Sequence, residues 1–354
     1  MAYSLDDLST ISRYDTEDML SVMARFSSDT RKAIKDSEEV ELGALNSNQF
    51  KALLIVGMGG SAIGGTLLKD WLLDSSKIPI IVSRGYHLPA WVDKDTLVYV
   101  VSYSGNTEET LSQFREAVDR GSQVISFFSG GQLSRIAAQR GIPAVKYQKG
   151  YQPRAALAAQ FFSLATISRR LGFVCDEKWA EVDEALVVLE HLSEEMTADV
   201  PTDVNPGKSL AESIKGYIPF VYGSRLYEGV TYRYSTQFNE NSKTPAASSF
   251  LPEAFHNSIM AREADTRLLE KICVIIIRDP HDERALVKKA DKLTELISDR
   301  FGRVVEVETK GEGRLARMLS ALYIGDYASV YLGILYGHDP GSIDSIKLLK
   351  NTKL

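Results

Sequence analysis

The sequence VYVVSYSGNTEETL, residues 98–111, changes abruptly from apolar to small polar residues. Its first four residues have strand propensity, and the hydroxyl residues and glycine that follow are typical of a tight loop. We expect a helix to begin near Asn106, with Glu108 and Glu109 in its first turn, where the positive end of the helix dipole favours carboxylates. The stretch therefore predicts a strand–loop–helix unit of an α/β protein.

The loop in this stretch has the composition of an anion site. Backbone N–H groups at the start of a helix have no partner within the helix and attract anions. The hydroxyls of Ser102, Ser104 and Thr107 would surround those N–H groups, which predicts a phosphate-binding loop. On this stretch alone, an ordinary capped loop without a ligand stays open as the alternative.

The bulk composition is that of an ordinary globular protein. The chain has 354 residues, a length typical of two domains, and 44% of them are hydrophobic. The net charge of −6 and the lack of a basic stretch argue against nucleic acid as a partner. Cys175 and Cys273 lie far apart in apolar contexts, so we expect reduced core cysteines rather than a disulfide or a metal site.

Two features of the sequence bear on the cellular location of the protein. The N-terminus has neither the basic nor the apolar region of a signal peptide, so we predict a cytoplasmic protein. The longest apolar segment is Leu319–Leu335, which Asp326 interrupts. We interpret this segment as a buried helix rather than a membrane span, and we expect no membrane partner.

Short apolar runs alternate with helical patterns in both halves of the chain, which predicts a doubly wound parallel sheet in each half. We expect strands at Ala52–Val56, Ile78–Val82, Leu97–Val101, Gln123–Phe127, Pro143–Tyr147, Ile218–Tyr222, Ile272–Ile277 and Val304–Val307. The predicted division is an N-terminal helical segment at 1–45, a first domain at 46–172, a helix and linker at 173–207, a second domain at 208–337 and a tail at 338–354.

The loop after the first predicted strand contains Gly-x-Gly-x-x-Ala at 57–62, a relaxed dinucleotide-binding pattern. A dinucleotide site also needs an acidic residue at the end of the next strand, whereas Ser83 and Arg84 lie there. Because Arg84 suits a 2′-phosphate, an NADP-dependent oxidoreductase stays open as an alternative. The loop also adds a serine hydroxyl, and a second hydroxyl-rich loop follows two strands later. Two such loops favour one compact phosphomonoester.

The two loops resemble the signature of the sugar isomerase (SIS) domain, and the whole chain is similar to one branch of it, the bifunctional phosphoglucose/phosphomannose isomerases. The similar segments are GMGGSAIGG at 57–65, SYSGNTEET at 102–110, PRAAL at 153–157, NENSK at 239–243, EAFHN at 253–257, DP at 339–340 and IKLLK at 346–350. The resemblance implies two SIS-type domains, each an α-β-α sandwich, with a C-terminal helical tail that reaches the active site. It also implies the residues that hold the substrate phosphate: Gly59, Gly60, Ser61, Ser102, Ser104 and Thr107.

Moving a proton between C2 and C1 of a sugar phosphate requires one base that can also return the proton, which suits a carboxylate. Glu240, near the end of a predicted helix, is the base that the resemblance implies. The resemblance assigns Arg154 to stabilising the negative charge of the enediolate intermediate, and arginine stays charged whatever its burial. A structural ion pair at a domain boundary is the alternative for Arg154.

Opening the sugar ring requires proton transfer at the ring oxygen, for which histidine is suited near neutral pH. His256 matches the family motif, and the resemblance implies that it comes from the neighbouring subunit of a homodimer with shared active sites. Lys350 would be the second ring-opening group or a ligand of a substrate hydroxyl, with Lys347 as its competitor.

The resemblance implies an aldose–ketose isomerase that interconverts glucose 6-phosphate and mannose 6-phosphate with fructose 6-phosphate through a cis-enediol(ate), without a cofactor or a metal. Gly341 and Ser342 stand where a Thr-Pro pair is frequent, so the preference between the two epimers stays open. A sugar-phosphate sensor without catalytic activity is the other alternative. Such a sensor would keep the phosphate loops but would not need Glu240, His256 and Arg154 together.

Overall fold

The computed structural model describes residues 3–350, with the side chain of Lys350 outside the described part. The chain forms two compact units. The first unit is Arg25–Val182, and the second combines the residues up to Ala24 with those from Asp183 onward. Each unit is built on one parallel sheet, which confirms the predicted α/β class with two doubly wound domains. The finer domain boundaries stay a prediction.

Strands and helices alternate along most of the chain. The strands are β1 Ala52–Val56, β2 Ile80–Ser83, β3 Thr96–Ser102, β4 Gln123–Phe128, β5 Ala144–Lys146, β6 Ile218–Ser224, β7 Ala247–Leu251, β8 Ile272–Arg278 and β9 Arg303–Glu308. The helices are α1 Leu8–Tyr14, α2 Met19–Ala24, α3 Phe26–Glu38, α4 Gly60–Trp71, α5 Glu108–Asp119, α6 Gly131–Arg140, α7 Leu157–Arg170, α8 Asp176–Trp179, α9 Glu181–Glu195, α10 Pro206–Ile214, α11 Glu228–Asn241, α12 Thr266–Leu269, α13 Arg284–Ile297, α14 Arg314–Leu335 and α15 Asp344–Lys350.

The sheet of the first unit has five parallel strands in the order β2-β1-β3-β4-β5. Strands β1 and β3 lie side by side and are buried along their whole length, because helices cover both faces. One face packs against Phe114 of α5 and Leu133 of α6. On the other face, Gly65 of α4 lies against Ile55, and a Cβ atom at Gly65 would come within 2.6 Å of the Ile55 side chain.

The sheet of the second unit has four parallel strands in the order β7-β6-β8-β9. Its longest helix, α14, has the length and composition of a membrane span, but its apolar window is entirely buried within the structure. This is the buried helix predicted for Leu319–Leu335. It packs against α10 and α11, so it forms the core of the unit.

Three local features differ from the sequence predictions. The pattern ASSFL does not predict β7, because this edge strand is only partly buried and lacks a continuous apolar run. Helix α5 begins at Glu108 with Thr107 as its N-cap residue, because the side chain of Asn106 accepts a hydrogen bond from Gln132 N at 2.9 Å instead. Cys175 is exposed in the turn before α8, whereas Cys273 is buried as predicted.

A buried ion pair joins α11 to α14. Asp326 accepts from Arg233 at both oxygens, with Nε–Oδ1 at 2.8 Å and Nη2–Oδ2 at 2.7 Å. Burial raises the pKa of Asp326, and the Arg233 guanidinium opposes that effect. The forked contact fixes the rotation of α11 against α14, and α11 carries Glu240.

We predict that R233M lowers the free energy of unfolding by about 3–5 kcal/mol, because it leaves the Asp326 carboxylate buried without its partner. Urea unfolding followed by circular dichroism measures the loss. The control is K32A, which breaks the exposed Lys32–Asp36 pair at 2.8 Å and should cost about 0.5 kcal/mol or less. Equal losses for the two variants would contradict this account of the α11–α14 contact.

Candidate functional site: a phosphate loop and a carboxylate

The strand order of the first unit fixes where a ligand can bind. Strands β1 and β3 are neighbours, with Val56 paired to Val100, while the chain continues from them to opposite sides of the sheet. A crevice opens beyond the carboxyl ends of the strands at such a switch point. The loops that follow these two strands are Gly57–Gly59 and Tyr103–Thr107, which are the two loops singled out in the sequence.

One hydrogen bond joins the two loops directly. Ser61, in the first turn of α4, accepts a bond from the backbone N–H of Tyr103 at 3.1 Å. Within the second loop, Ser102 Oγ accepts from Gly105 N and donates to Thr107 Oγ1, each at 3.1 Å. Ser104 Oγ accepts from Asn106 N at 3.2 Å. The hydroxyls therefore shape the loop before any ligand binds.

These bonds leave three hydroxyl donors for a ligand. A hydroxyl can donate one hydrogen bond as well as accept, and Ser61, Ser104 and Thr107 act only as acceptors in the contacts above. Within residues 3–350 their own O–H groups have no acceptor, whereas the O–H of Ser102 is used by Thr107. In α4 the N–H groups of Ser61 and Ala62 already bond to the carbonyls of Met58 and Gly59. The N–H of Gly60, the first N–H groups of α5 and the three hydroxyls are therefore the donor set that could bind an anion.

A third loop, which the sequence analysis missed, supports the phosphate loop. Gly105 has φ +67°, and a Cβ atom there would collide with the carbonyl oxygen of Gly130. Ser129, at the end of β4, donates through both its backbone N–H and its Oγ to the carbonyl of Tyr103, at 2.9 and 2.7 Å. The available signal was the sequence Ser-Gly-Gly at 129–131, which again places a hydroxyl and glycines directly after an apolar strand.

The structure brings Arg154 to the same region. Arg154 is buried in the turn that precedes α7, and its backbone packs against Gly60 in the first turn of α4. A Cβ atom at Gly60 would lie 2.9 Å from Arg154 N, so only glycine allows this close approach. The exposed Gly59, with φ +51°, turns the chain into α4. The guanidinium-bearing Arg154 is therefore held beside the loop Gly57–Gly59.

Glu240 and His256 lie at opposite ends of the strands in the second unit, Glu240 at the amino ends and His256 at the carboxyl ends. Helix α11 returns from the end of β6 to the start of β7, and half-buried Glu240 lies in its last turn. His256 is exposed and follows the carboxyl end of β7. The five residues of β7 span about 16 Å at about 3.3 Å per residue. Within one chain, the two side chains therefore do not meet.

The structure instead brings the C-terminal segment to Glu240. Lys243 Nζ donates to the carbonyl of Glu240 at 2.7 Å and to the carbonyl of Ser342 at 2.9 Å. Helix α15 begins two residues after Ser342. Lys347, on this helix, is exposed and lies 3.7 Å from the carboxylate of Asp344. The side chain of Lys350, the residue predicted to act here, lies outside the described residues.

The corresponding switch point of the second unit does not suit a phosphate. Asp279, directly after β8, accepts hydrogen bonds from the hydroxyl of Tyr227, from Arg317 Nε at 3.0 Å and from His281 N at 2.8 Å. A carboxylate repels an anion, and these donors are already used by it. Within residues 3–350, the donors that follow β6 and β8 therefore serve the Asp279 carboxylate, unlike the hydroxyls at β1 and β3.

A solved structure shares this architecture. A hypothetical protein from Thermus thermophilus superposes with a TM-score of 0.76 over 98% of this chain and 92% of that one. Because the two sequences are only 15% identical, the likeness shows the fold alone.

The two parallel-sheet units and the family match place the chain in the sugar isomerase (SIS) class. The family model of the bacterial phospho-glucose isomerase C-terminal SIS domain matches residues 203–352. A bifunctional phosphoglucose/phosphomannose isomerase of Caldicellulosiruptor bescii is 38% identical over 87% of this chain and 91% of that protein. A bifunctional phosphoglucose/phosphomannose isomerase of Aquifex aeolicus is 37% identical over 85% of this chain and 90% of that protein. The chain belongs to the bifunctional phosphoglucose/phosphomannose isomerase family, and it is an enzyme of the isomerase class.

We predict that G105A abolishes phosphate binding, because its methyl group would collide with the carbonyl of Gly130 and displace the loop. The matched control is G141A. Gly141 has a similar φ of +64° but no atom near its Cβ position, so this variant should cost only about 1 kcal/mol in unfolding free energy. Isothermal titration with inorganic phosphate measures the affinity of both variants. Unchanged affinity in G105A would place the anion elsewhere.

Proposed function

We propose that this chain is an aldose–ketose isomerase that interconverts glucose 6-phosphate and mannose 6-phosphate with fructose 6-phosphate. The observation that carries the proposal is the set of three hydroxyl donors at the switch point, on Ser61, Ser104 and Thr107, which have no acceptor within residues 3–350. Together with Ser102 and the backbone at Gly59 and Gly60, they hold the substrate phosphate. The names of the relatives support the choice of sugars.

Glu240 is the base in the proposed reaction. Its carboxylate takes the proton from C2 of the aldose, and the electron pair forms the C1–C2 double bond of a cis-enediolate with its negative charge on O1. Glu240 then returns the proton to C1, and the proton of the C2 hydroxyl passes to O1 as the C2 ketone forms, which restores the C1 hydroxyl. The hydrogen stays within the substrate and the base, so the reaction is redox-neutral overall and consumes no nicotinamide cofactor.

Arg154 stabilises the enediolate in this proposal. Charge develops on O1 only as the proton leaves C2, so a fixed guanidinium lowers the energy of the intermediate more than that of the substrate. The burial of Arg154 and the packing of its backbone on Gly60 support this role, because both hold the residue beside the phosphate loop. The structural ion pair remains the competing role for the residue.

His256 opens the sugar ring in the proposed mechanism, and Lys350 assists it or binds a hydroxyl of the sugar. Since Glu240 precedes the start of β7, a strand about 16 Å long, and His256 follows its end, we infer that a site that uses both draws them from two copies of the chain. This geometry supports a homodimer with shared active sites. The exposed position of His256 leaves it available to a second copy.

Gly341 stands where threonine is frequent in the family, and the side chain of Glu17 fills the space beside it. A Cβ atom at Gly341 would lie 2.6 Å from Cβ of Glu17, so the Glu17 side chain occupies the space that a threonine there would take. Thr16 donates to the carboxylate of Asp339, which keeps the N-terminal segment against the tail. We propose that Glu17 and Gly341 together shape the surroundings of the sugar and so set the preference between the two epimers.

The two functions that the sequence alone left open make different predictions from those of the isomerase class to which the chain belongs. In an NADP-dependent oxidoreductase, Arg84 would bind the 2′-phosphate, but its Nη2 donates to Thr66 Oγ1 at 2.8 Å. A sensor without activity would bind sugar phosphates and release no fructose 6-phosphate. A coupled assay for fructose 6-phosphate, run beside a measurement of nicotinamide absorbance, distinguishes the three functions.

We expect E240Q to lose at least about a thousandfold in kcat, because the amide cannot accept the C2 proton, while phosphate affinity is unchanged. The matched control is E228Q, at the other end of the same helix. Glu228 is half-buried like Glu240, and its loss removes no proposed catalytic group. Isomerase activity in E240Q close to that of the wild type would show that the base is misassigned.

Mixing two inactive variants tests the shared site. E240Q and H256A should each be inactive alone, but in a heterodimer one of the two sites receives an intact Glu240 and an intact His256. A 1:1 mixture that has exchanged subunits should therefore recover about a quarter of wild-type activity. Two tags allow the heterodimer to be purified. A purified heterodimer without activity would mean that each site takes both residues from one chain.

A further inference from the structure

Lys243 has an unusual backbone conformation. Its φ is +56°, and Asp18, with φ +54°, is the other non-glycine residue with positive φ within the described residues. Side chains other than those of asparagine, aspartate and histidine rarely occupy this left-handed region. The position is the second residue after the end of α11, where helices often adopt a left-handed turn. Glycine or asparagine is usual there, so the presence of lysine needs another reason.

The contacts of the side chain supply that reason. The left-handed turn directs Lys243 back over the end of α11, where Nζ donates to the carbonyl of Glu240 at 2.7 Å. The last carbonyls of a helix have no partner within it, so this bond fixes the backbone of Glu240 itself. The same Nζ donates to the carbonyl of Ser342 at 2.9 Å. One ammonium group therefore joins the helix that carries Glu240 to the C-terminal segment.

The C-terminal segment is held at several points. Gly341 N donates to Asp339 Oδ1 at 2.7 Å, and Asp339 accepts from Thr16. Lys243 binds the segment at its far end, two residues before α15 begins. The position of α15 relative to Glu240 therefore depends on this lysine.

We propose that Lys243 is a positioning residue, which holds Glu240 and the segment leading into α15 in a fixed relation through its two carbonyl contacts. The inference rests on the proposed function, in which Glu240 is the base. Because a base misplaced by about 1 Å can lose roughly a hundredfold in rate, the bond to the Glu240 carbonyl affects the proton transfer directly. The alternative is a solvated surface lysine, which would gain nothing from a left-handed backbone.

The test uses K243N. Asparagine adopts the left-handed region readily, but its side chain is too short to reach Ser342. The matched control is D18N, which places the same residue at nearly the same φ in the segment between α1 and α2. We expect K243N to lower kcat at least about tenfold with little change in KM, while D18N keeps wild-type kinetics. K243R retains a long cationic donor and should recover most of the activity.

Hydrogen exchange over residues 339–347 tests the contact without any enzyme assay. K243N should speed exchange in this segment, and D18N should leave it unchanged. Wild-type kcat and exchange in K243N would overturn the inference, as would a K243R variant as slow as K243N. If wild-type protein shows no isomerase activity, the proposed function fails, and the exchange result still decides whether Lys243 holds the segment.

Discussion

The side-by-side pairing of β1 and β3 is the constraint on which the rest of the site depends. The chain places these strands next to each other although β2 separates them in sequence. Their loops can therefore share the bond between Ser61 and Tyr103 and bring three hydroxyl donors to one place, where we propose that the phosphate binds. Burial raises the pKa of the Tyr103 phenol, which stays protonated and donates to the carbonyl of Gln148 at 2.8 Å. The phosphate loop is thus built into the core of its unit.

The second unit uses the same strand arrangement for a different purpose. At its switch point, the carboxylate of Asp279 takes the place that an anion would need. Its proposed contribution lies at the amino ends of the strands, where Glu240 stands in the last turn of α11 and the C-terminal segment returns. The buried pair of Arg233 and Asp326 fixes the helix, and Lys243 fixes its end. Phosphate binding and proton transfer are therefore assigned to separately stabilised parts of the chain.

The sequence predicts the regular parts of this structure well, because buried parallel strands leave continuous apolar runs and phosphate loops leave hydroxyls and glycines after them. The sequence predicts local structure poorly where contacts between distant residues determine the conformation. Strand β7 is a partly polar edge strand without a continuous apolar run. Asn106 is a residue type typical of N-caps, but its side chain accepts a hydrogen bond from Gln132 N at the start of α6. The support of the phosphate loop by Ser129 depends on strand order, which no local pattern encodes. The exposure of Cys175 likewise depends on how its turn packs.

A crystal structure of the protein with a bound sugar phosphate tests whether the β1 and β3 loops hold the phosphate while Glu240 reaches the sugar. We expect a phosphorus atom within about 4 Å of the hydroxyl oxygens of Ser104 and Thr107. We also expect C2 of the sugar about 3–3.5 Å from a carboxylate oxygen of Glu240. A phosphate bound away from the β1 and β3 loops would contradict the account. So would a C2 atom beyond the reach of Glu240 in every copy of the chain.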